Sequence, residues 1–212
     1  MRSEMDDASL RQAIELAKRG DAPAMHRLVD LFAGRIFGFF YRSTGSRADA
    51  EDLTQEVFVR VVRMLAYYED DGRFESWLFR IAANLVRDRV RQQRRRPRQL
   101  SGHGTDSTGC GSESPVLDEL AGEEPAADAR MALGEEVDAL NAALAQLPDG
   151  EREVIMLRHF SQMSFKEIAE ATGTPLGTAL ARGHRGLRRL RELMESRESN
   201  RFARQSGGKL SV

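Results

Sequence analysis

The chain has 212 residues, enough for one large domain or two small ones with modest cores. Its 32 Lys and Arg against 33 Asp and Glu leave a net charge of −1, and its single cysteine, Cys110, excludes an internal disulfide framework and a cysteine-rich zinc site. The polar start MRSEMDDASL is no signal peptide, and no apolar run approaches the roughly 20 residues that span a bilayer, so a cytoplasmic protein without membrane insertion is expected.

Residues 9–96 read as helices. Ser9 is placed to cap a first helix running to about Gly20. Asp21 is placed to cap the second, with Pro23 in its first turn; apolar positions then recur to Phe40 and Tyr41, and Gly45 punctuates. A third amphipathic helix covers about 47–66. Leu53, Val57, Phe58, Val61 and Met64 make its core face, while Asp52, Gln55, Glu56, Val59, Val62 and Arg63 point outward. Two outward valines beside an acid–amide cluster fit a partner surface with a small apolar centre and a charged rim.

A polar loop over 69–73 leads into a helix over 74–96 whose two faces differ. At about 100° per residue, Phe74, Leu78, Ile81, Ala82 and Leu85 fall on one side, and Arg80, Asn84, Arg87, Arg91 and Arg94 on the other. The guanidinium groups suit phosphates, and the Asn84 amide can read a base edge. Only Asp88 interrupts the positive stripe. The loop beside Phe74 and Trp77 is placed to hold an unpaired base, although Trp77 fits core packing equally well. The arginines at 94, 95, 96 and 98 add sequence-independent, salt-sensitive attraction.

From 99 to 134 the chain is rich in Gly, Ser, Pro and acid, and no basic residue occurs over 106–128, so a flexible acidic linker is expected. A second helical block over 135–197 begins with Val137, Leu140, Leu144 and Leu147 on one face. A Pro148-Asp149-Gly150 turn leads to a helix with Val154, Ile155 and Leu157. Ser164 and Glu167 form a capping box for a short helix carrying Ile168 and Ala169. Gly173 suits a tight turn, Thr174 can cap the next helix, and Pro175 fits its first position. A short helix, a glycine turn and a longer arginine-rich helix to about Glu195 make a helix-turn-helix. Residues 198–212 read as a polar, frayed tail. No strand-like alternation persists, so the fold class is all-α, two small helical domains joined by the linker.

Three stretches together resemble the sigma-70 superfamily of transcription initiation factors, in its extracytoplasmic-function group: DAEDLTQEVFVRVVRML (49–65), GRFESWLFRIAANLVRDRVRQQRR (72–95) and LPDGEREVIMLRHFSQMSFKEIAEATGTPLGTALARGHRGLRRLRELM (147–194). The resemblance implies that a region 2-like domain, 1–98, docks on RNA polymerase core and recognises and melts the promoter −10 element. A region 4-like domain, 135–197, would bind the −35 element and touch the polymerase flap. It further implies clamp-helix contacts for Asp52, Gln55, Glu56 and Val59, and −10 contacts for Arg80, Asn84, Arg87 and Arg91. On the last helix, Thr178, Arg182, His184, Arg185, Arg188 and Arg189 are left for −35 DNA. An anti-sigma protein is a further partner that the resemblance suggests.

Four features depart from the family pattern. Leu180 stands where a basic or polar residue is usual, Ala181 where a small polar one is, and Gly183 and Gly186 where larger helix formers are. Leu176, Leu180, Leu187, Leu190 and Met194 form a strip, from which Leu180 and Leu187 are expected to join the core, with Gly183 permitting close helix approach.

A stand-alone helix-turn-helix regulator is the main alternative. It needs only the second block and leaves the arginine-faced helix and the Gln55/Val59/Val62 patch unexplained. An enzyme such as a nuclease finds no support. His26, His103, His159 and His184 lie in different segments, and no metal-ligand spacing, phosphate-cradling loop or nucleophile motif occurs, so neither catalysis nor a cofactor is expected.

Overall fold

The computed structural model describes the backbone of residues 7–95 and 127–207, with side chains for 7–92, 134, 136–197 and 199. The described elements are all helical, and they fall into two compact units divided at 125/126. Residues 99–126 of the expected acidic linker lie outside the described residues.

The first unit contains α1 (Asp7–Lys18), α2 (Ala22–Thr44), α3 (Arg47–Met64), a 3-10 turn (Leu65–Tyr67) and α4 (Phe74–Arg95). The α2 boundaries follow from local chemistry. The Asp21 carboxylate accepts from the Ala24 amide at 2.7 Å, Pro23 sits in the first turn, and Gly45 ends the helix at φ 70°, its amide donating to the Tyr41 carbonyl at 2.8 Å. Ser46 caps α3 by accepting from the Asp49 amide at 3.2 Å. Ser9 does not cap α1. Among the described residues, which begin at Asp7, Ser9 already lies inside the helix and so does not occupy the N-cap position.

Leu28, Phe32, Ile36, Phe39 and Phe40 of α2 form the centre of this core, all almost fully buried. Against them lie Leu53, Val57 and Val61 of α3 and Phe74, Leu78, Phe79, Ile81, Ala82 and Leu85 of α4. Phe39 meets Phe79 edge to face at 5.5 Å. Met64 is exposed, contrary to the core face expected of it. Leu65, four residues after Val61 and still bonded to its carbonyl, faces inward in its place, and the 3-10 turn follows. Ion pairs cross the unit at its partly exposed edges. Arg35 donates twice to Glu75, at 2.8 and 2.9 Å, joining α2 to α4, and Arg89 pairs with Asp49, joining α4 to α3.

The second unit contains α5 (Ala127–Ala145), α6 (Asp149–Phe160), α7 (Phe165–Thr172) and α8 (Leu176–Gly207). Helix α5 is already present eight residues before the linker boundary expected at 134/135, since six of the seven residues of ADARMAL are good helix formers. Helix α8 continues twelve residues beyond Glu195 into the expected tail. Beyond Glu195 no proline or glycine occurs until Gly207. The turn between α5 and α6 falls at 146–148, with Asp149 and Gly150 already in the first turn of α6.

The capping box closes α7 as expected. Glu167 donates its amide to the Ser164 hydroxyl at 3.3 Å, and its carboxylate accepts from the Ser164 amide at 2.8 Å. Gly173 adopts φ 63°, the left-handed conformation that ends α7. Thr174 does not cap α8. Its hydroxyl pairs with that of Thr172 at 2.9 Å, and the Pro175 carbonyl accepts the first helical bond, from Ala179 at 3.1 Å.

Candidate nucleic-acid interface

Three surfaces carry the residues singled out from the sequence. The first is the outer arc of α3. Leu53, Val57 and Val61 anchor the helix, which forces Asp52, Gln55, Glu56, Val59, Val62 and Arg63 outward together. Val59 is 49% exposed and Val62 57%. Glu56 accepts from Arg60 Nη2 at 2.7 Å one turn along, so its charge is partly answered within the helix. Val59 and Val62 remain as an apolar centre inside a polar rim.

The second surface is the outer face of α4 and the loop before it. Arg80, Asn84 and Arg91 are exposed, Arg91 lying 3.6 Å from Asp88, and Arg87 is half-buried. The loop is braced. Asp70 accepts from the Gly72 amide at 3.0 Å and Asp71 from the Arg73 amide at 3.1 Å, and the Tyr68 hydroxyl donates to Asp70 at 3.2 Å. Burial, with the Asp70 and Asp71 carboxylates close by, pushes the Tyr68 hydroxyl pKa well up and keeps it protonated. Tyr68 packs on Trp77 at 4.8 Å and Phe74 at 5.5 Å. Trp77 is therefore a half-buried member of an aromatic cluster and not a free platform. Tyr67 is the aromatic left outside, 87% exposed beside the braced loop. Sequence reasoning passed over it, although a Tyr-Tyr pair after an amphipathic helix sends only one ring inward.

The third surface is the outer side of α8. Its inner edge is Ala179, Gly183 and Gly186, and the glycines are there because the neighbours leave no room. A β-carbon at Gly183 would lie 2.6 Å from Phe165 Cε1, and one at Gly186 would lie 2.7 Å from Ile155 Cδ1. Leu180 and Leu187 each follow a buried position by one residue or about 100°, and both face outward, 37% and 55% exposed. The expected inward turn of these two leucines does not occur, because the glycines already occupy the packing edge. Leu176 is exposed as well, at 47%.

The arginines of α8 are not equivalent. Glu151 of α6 is buried, and its two carboxylate oxygens accept from Arg185 Nε at 3.2 Å and Arg189 Nη1 at 3.0 Å. The Arg182 guanidinium lies against Gly150, where a β-carbon would come within 3.0 Å of its Cζ. Arg188 Nε is 3.5 Å from Glu192 one turn on, His184 is exposed, and Thr178 is half-buried. Sequence reasoning grouped these six together. The structure divides them into cations clamped against α6 and groups on the open side. Among the described residues no cluster of His, Cys, Asp or Glu could hold a metal ion, and no helix is long and apolar enough to cross a membrane.

Comparison with known proteins gives concordant likenesses. The sigma-70 region 2 family matches residues 28–96, and the sigma-70 region 4 family matches 138–190. The chain is 29% identical over 178 residues to the ECF RNA polymerase sigma factor SigW of Bacillus subtilis, covering 84% of this chain and 92% of that protein. It is 33% identical over 182 residues to the RNA polymerase sigma factor CarQ of Myxococcus xanthus, covering 84% and 92%. Among solved structures, the fold is similar to that of the sigma factor RpoE in a co-crystal with the anti-sigma factor NepR from Bartonella quintana. The TM-score is 0.61 at 22% identity, over 80% of this chain and 96% of that one.

Proposed function

Because the chain belongs to the extracytoplasmic-function group of sigma-70 factors, which direct RNA polymerase core to specific promoters and initiate transcription there, we propose a division of labour between its two units. The first docks on the polymerase clamp helices through Asp52, Gln55, Glu56 and Val59, with Val62 completing the apolar centre. Arg80, Arg87 and Arg91 hold phosphates of the −10 element, Asn84 reads a base edge at the junction with duplex, and Tyr67 offers an exposed ring to a base leaving the stack. The second unit lays α8 on the −35 element and touches the flap. The chain does no catalysis and uses no cofactor. It acts in the cytoplasm, and an anti-sigma protein is a natural regulator.

One observation carries this reading: region 2 and region 4 matches occur in one chain, in family order, each with an exposed surface of the chemistry its role requires. A stand-alone regulator would need only the second unit and would have no use for the Val59/Val62 patch. Purified polymerase core should give start-site-specific transcripts only when this chain is added. Absence of such transcripts, together with tight duplex binding by the chain alone, would overturn the reading.

A further inference from the structure

We propose that the outward leucines of α8, centred on Leu180, recognise thymine C5-methyl groups in the major groove, so that methyl contacts select this chain's −35 sequence more than hydrogen bonds to base edges do. The inference rests on the −35 role given to the second unit and adds what that unit reads. It begins from an inversion of the usual chemistry of such a helix. Leu176, Leu180 and Leu187 share one stripe on the open side, each more than a third exposed. Large apolar side chains left together in water mark a contact surface.

Of the polar groups on the same helix, three arginines are tied back, which leaves Thr178, His184 and Arg188 on the open side beside the leucines. Arg185 and Arg189 are held by Glu151, and Arg182 is laid against Gly150. Between 176 and 191 there is no Asn or Gln to grip adenine and no Asp or Glu to accept from cytosine. Gly177 is exposed and Ala181 half-buried, and neither carries a side-chain donor. A helix of about 10–12 Å diameter fills a major groove about 12 Å wide, and its N-terminal half meets the floor, which puts Leu180 and Ala181 against base edges. The thymine methyl is the one apolar feature there.

The charge on α8 identifies the occupant as DNA and not another protein. Arg182, Arg185, Arg188, Arg189 and Arg191 lie within ten residues of one another around the stripe. Such a density of guanidinium groups matches phosphates flanking a groove. Even with Arg185 and Arg189 shared with Glu151, the five cations outnumber the carboxylates that answer them, and an apolar protein surface would have to desolvate that excess of positive charge.

Deoxyuridine in place of thymidine removes only the methyl, and this provides the test. Holoenzyme assembled with the full chain would first select duplexes from a library randomised at −35, and each thymidine of the selected sequence would then be replaced singly. At one or more positions the replacement should weaken binding roughly fourfold, the value of one buried methyl. Leu180→Ala should bind thymidine and deoxyuridine sites equally. Because Leu180 is exposed, that variant keeps its thermal transition, which a melt of the same preparation verifies. A selected sequence indifferent to every methyl would overturn the inference alone, as would a Leu180→Ala variant that still distinguishes the two sites. If no −35 sequence is selected at all, the −35 role falls with it.

Discussion

Glu151 and Arg189 are 38 residues apart in sequence, yet Glu151 Oε2 accepts from Arg189 Nη1 at 3.0 Å. The carboxylate side chain is only 8% exposed, the guanidinium 47%. Glu151 therefore fastens α8 to α6 from below, and with Arg185 on its other oxygen it answers two of the cations that α8 would otherwise present to phosphates.

Glu151→Gln should lower the stability of the second unit by about 1–2 kcal/mol, less than a fully buried pair because both arginines stay half in water. It should also free positive charge toward DNA. Urea melts of the full chain check the first effect. Duplex binding against salt checks the second, where the slope of log K on log salt should steepen by about one. An unchanged slope would mean that Arg185 and Arg189 already contact phosphate fully while paired.

The glycines of α8 separate close packing from helix propensity. Gly183→Ala gains up to about 1 kcal/mol of propensity but drives a methyl into Phe165, so a net loss of about 1–2 kcal/mol is expected. Adding Phe165→Leu should recover part of it. Gly177→Ala meets nothing within 4 Å and should stabilise the unit by about 0.5 kcal/mol. Thermal denaturation of the three variants side by side decides the matter, and a Gly183→Ala protein as stable as Gly177→Ala would refute the packing argument.

The same glycines explain why part of the site was unreadable in the sequence. Local signals were legible: the Asp21 cap, the Gly45 stop, the Ser164–Glu167 box and the outward arc of α3 all depend on residues within a turn or two of one another. A helix edge made of glycine gives no hydrophobic signal, so periodicity assigned the leucine stripe to the core when it faces out. The partners that decide the question, Phe165 and Ile155, lie on other helices. The pairing of Arg185 and Arg189 with Glu151 likewise depends on a fold in which residues more than thirty positions apart meet. Met64, the last residue of α3, also faces out against expectation, and Leu65 takes the inward place.

Tyr67 should matter for melted DNA and hardly for folding. At 87% exposure its ring stabilises little, so Tyr67→Ala is expected to stay within about 0.5 kcal/mol of the parent in a thermal melt. Base stacking on an aromatic ring is worth about 1–3 kcal/mol, so holoenzyme carrying the variant should bind a single-stranded −10 non-template segment at least fivefold more weakly. Tyr68→Phe offers the contrast. It removes the hydroxyl that donates to Asp70 within the loop and should loosen the loop while leaving the exposed ring in place.

Val62 is the sharpest probe of the polymerase contact. Glu56 is the more obvious target, but it already shares its charge with Arg60, and an exposed pair of that kind contributes about 0–1 kcal/mol. Its substitution would disturb that pair as well as any contact with the polymerase, so the two effects would be read together. Val62, 57% exposed, lies with Val59 at the apolar centre, where contacts concentrate binding energy once water is excluded. Val62→Glu should leave the melting transition in place and weaken association with polymerase core more than tenfold. The same charge placed at exposed Arg19, as Arg19→Glu, should not. Equal association by both variants, measured by surface capture of core enzyme, would remove α3 from the interface.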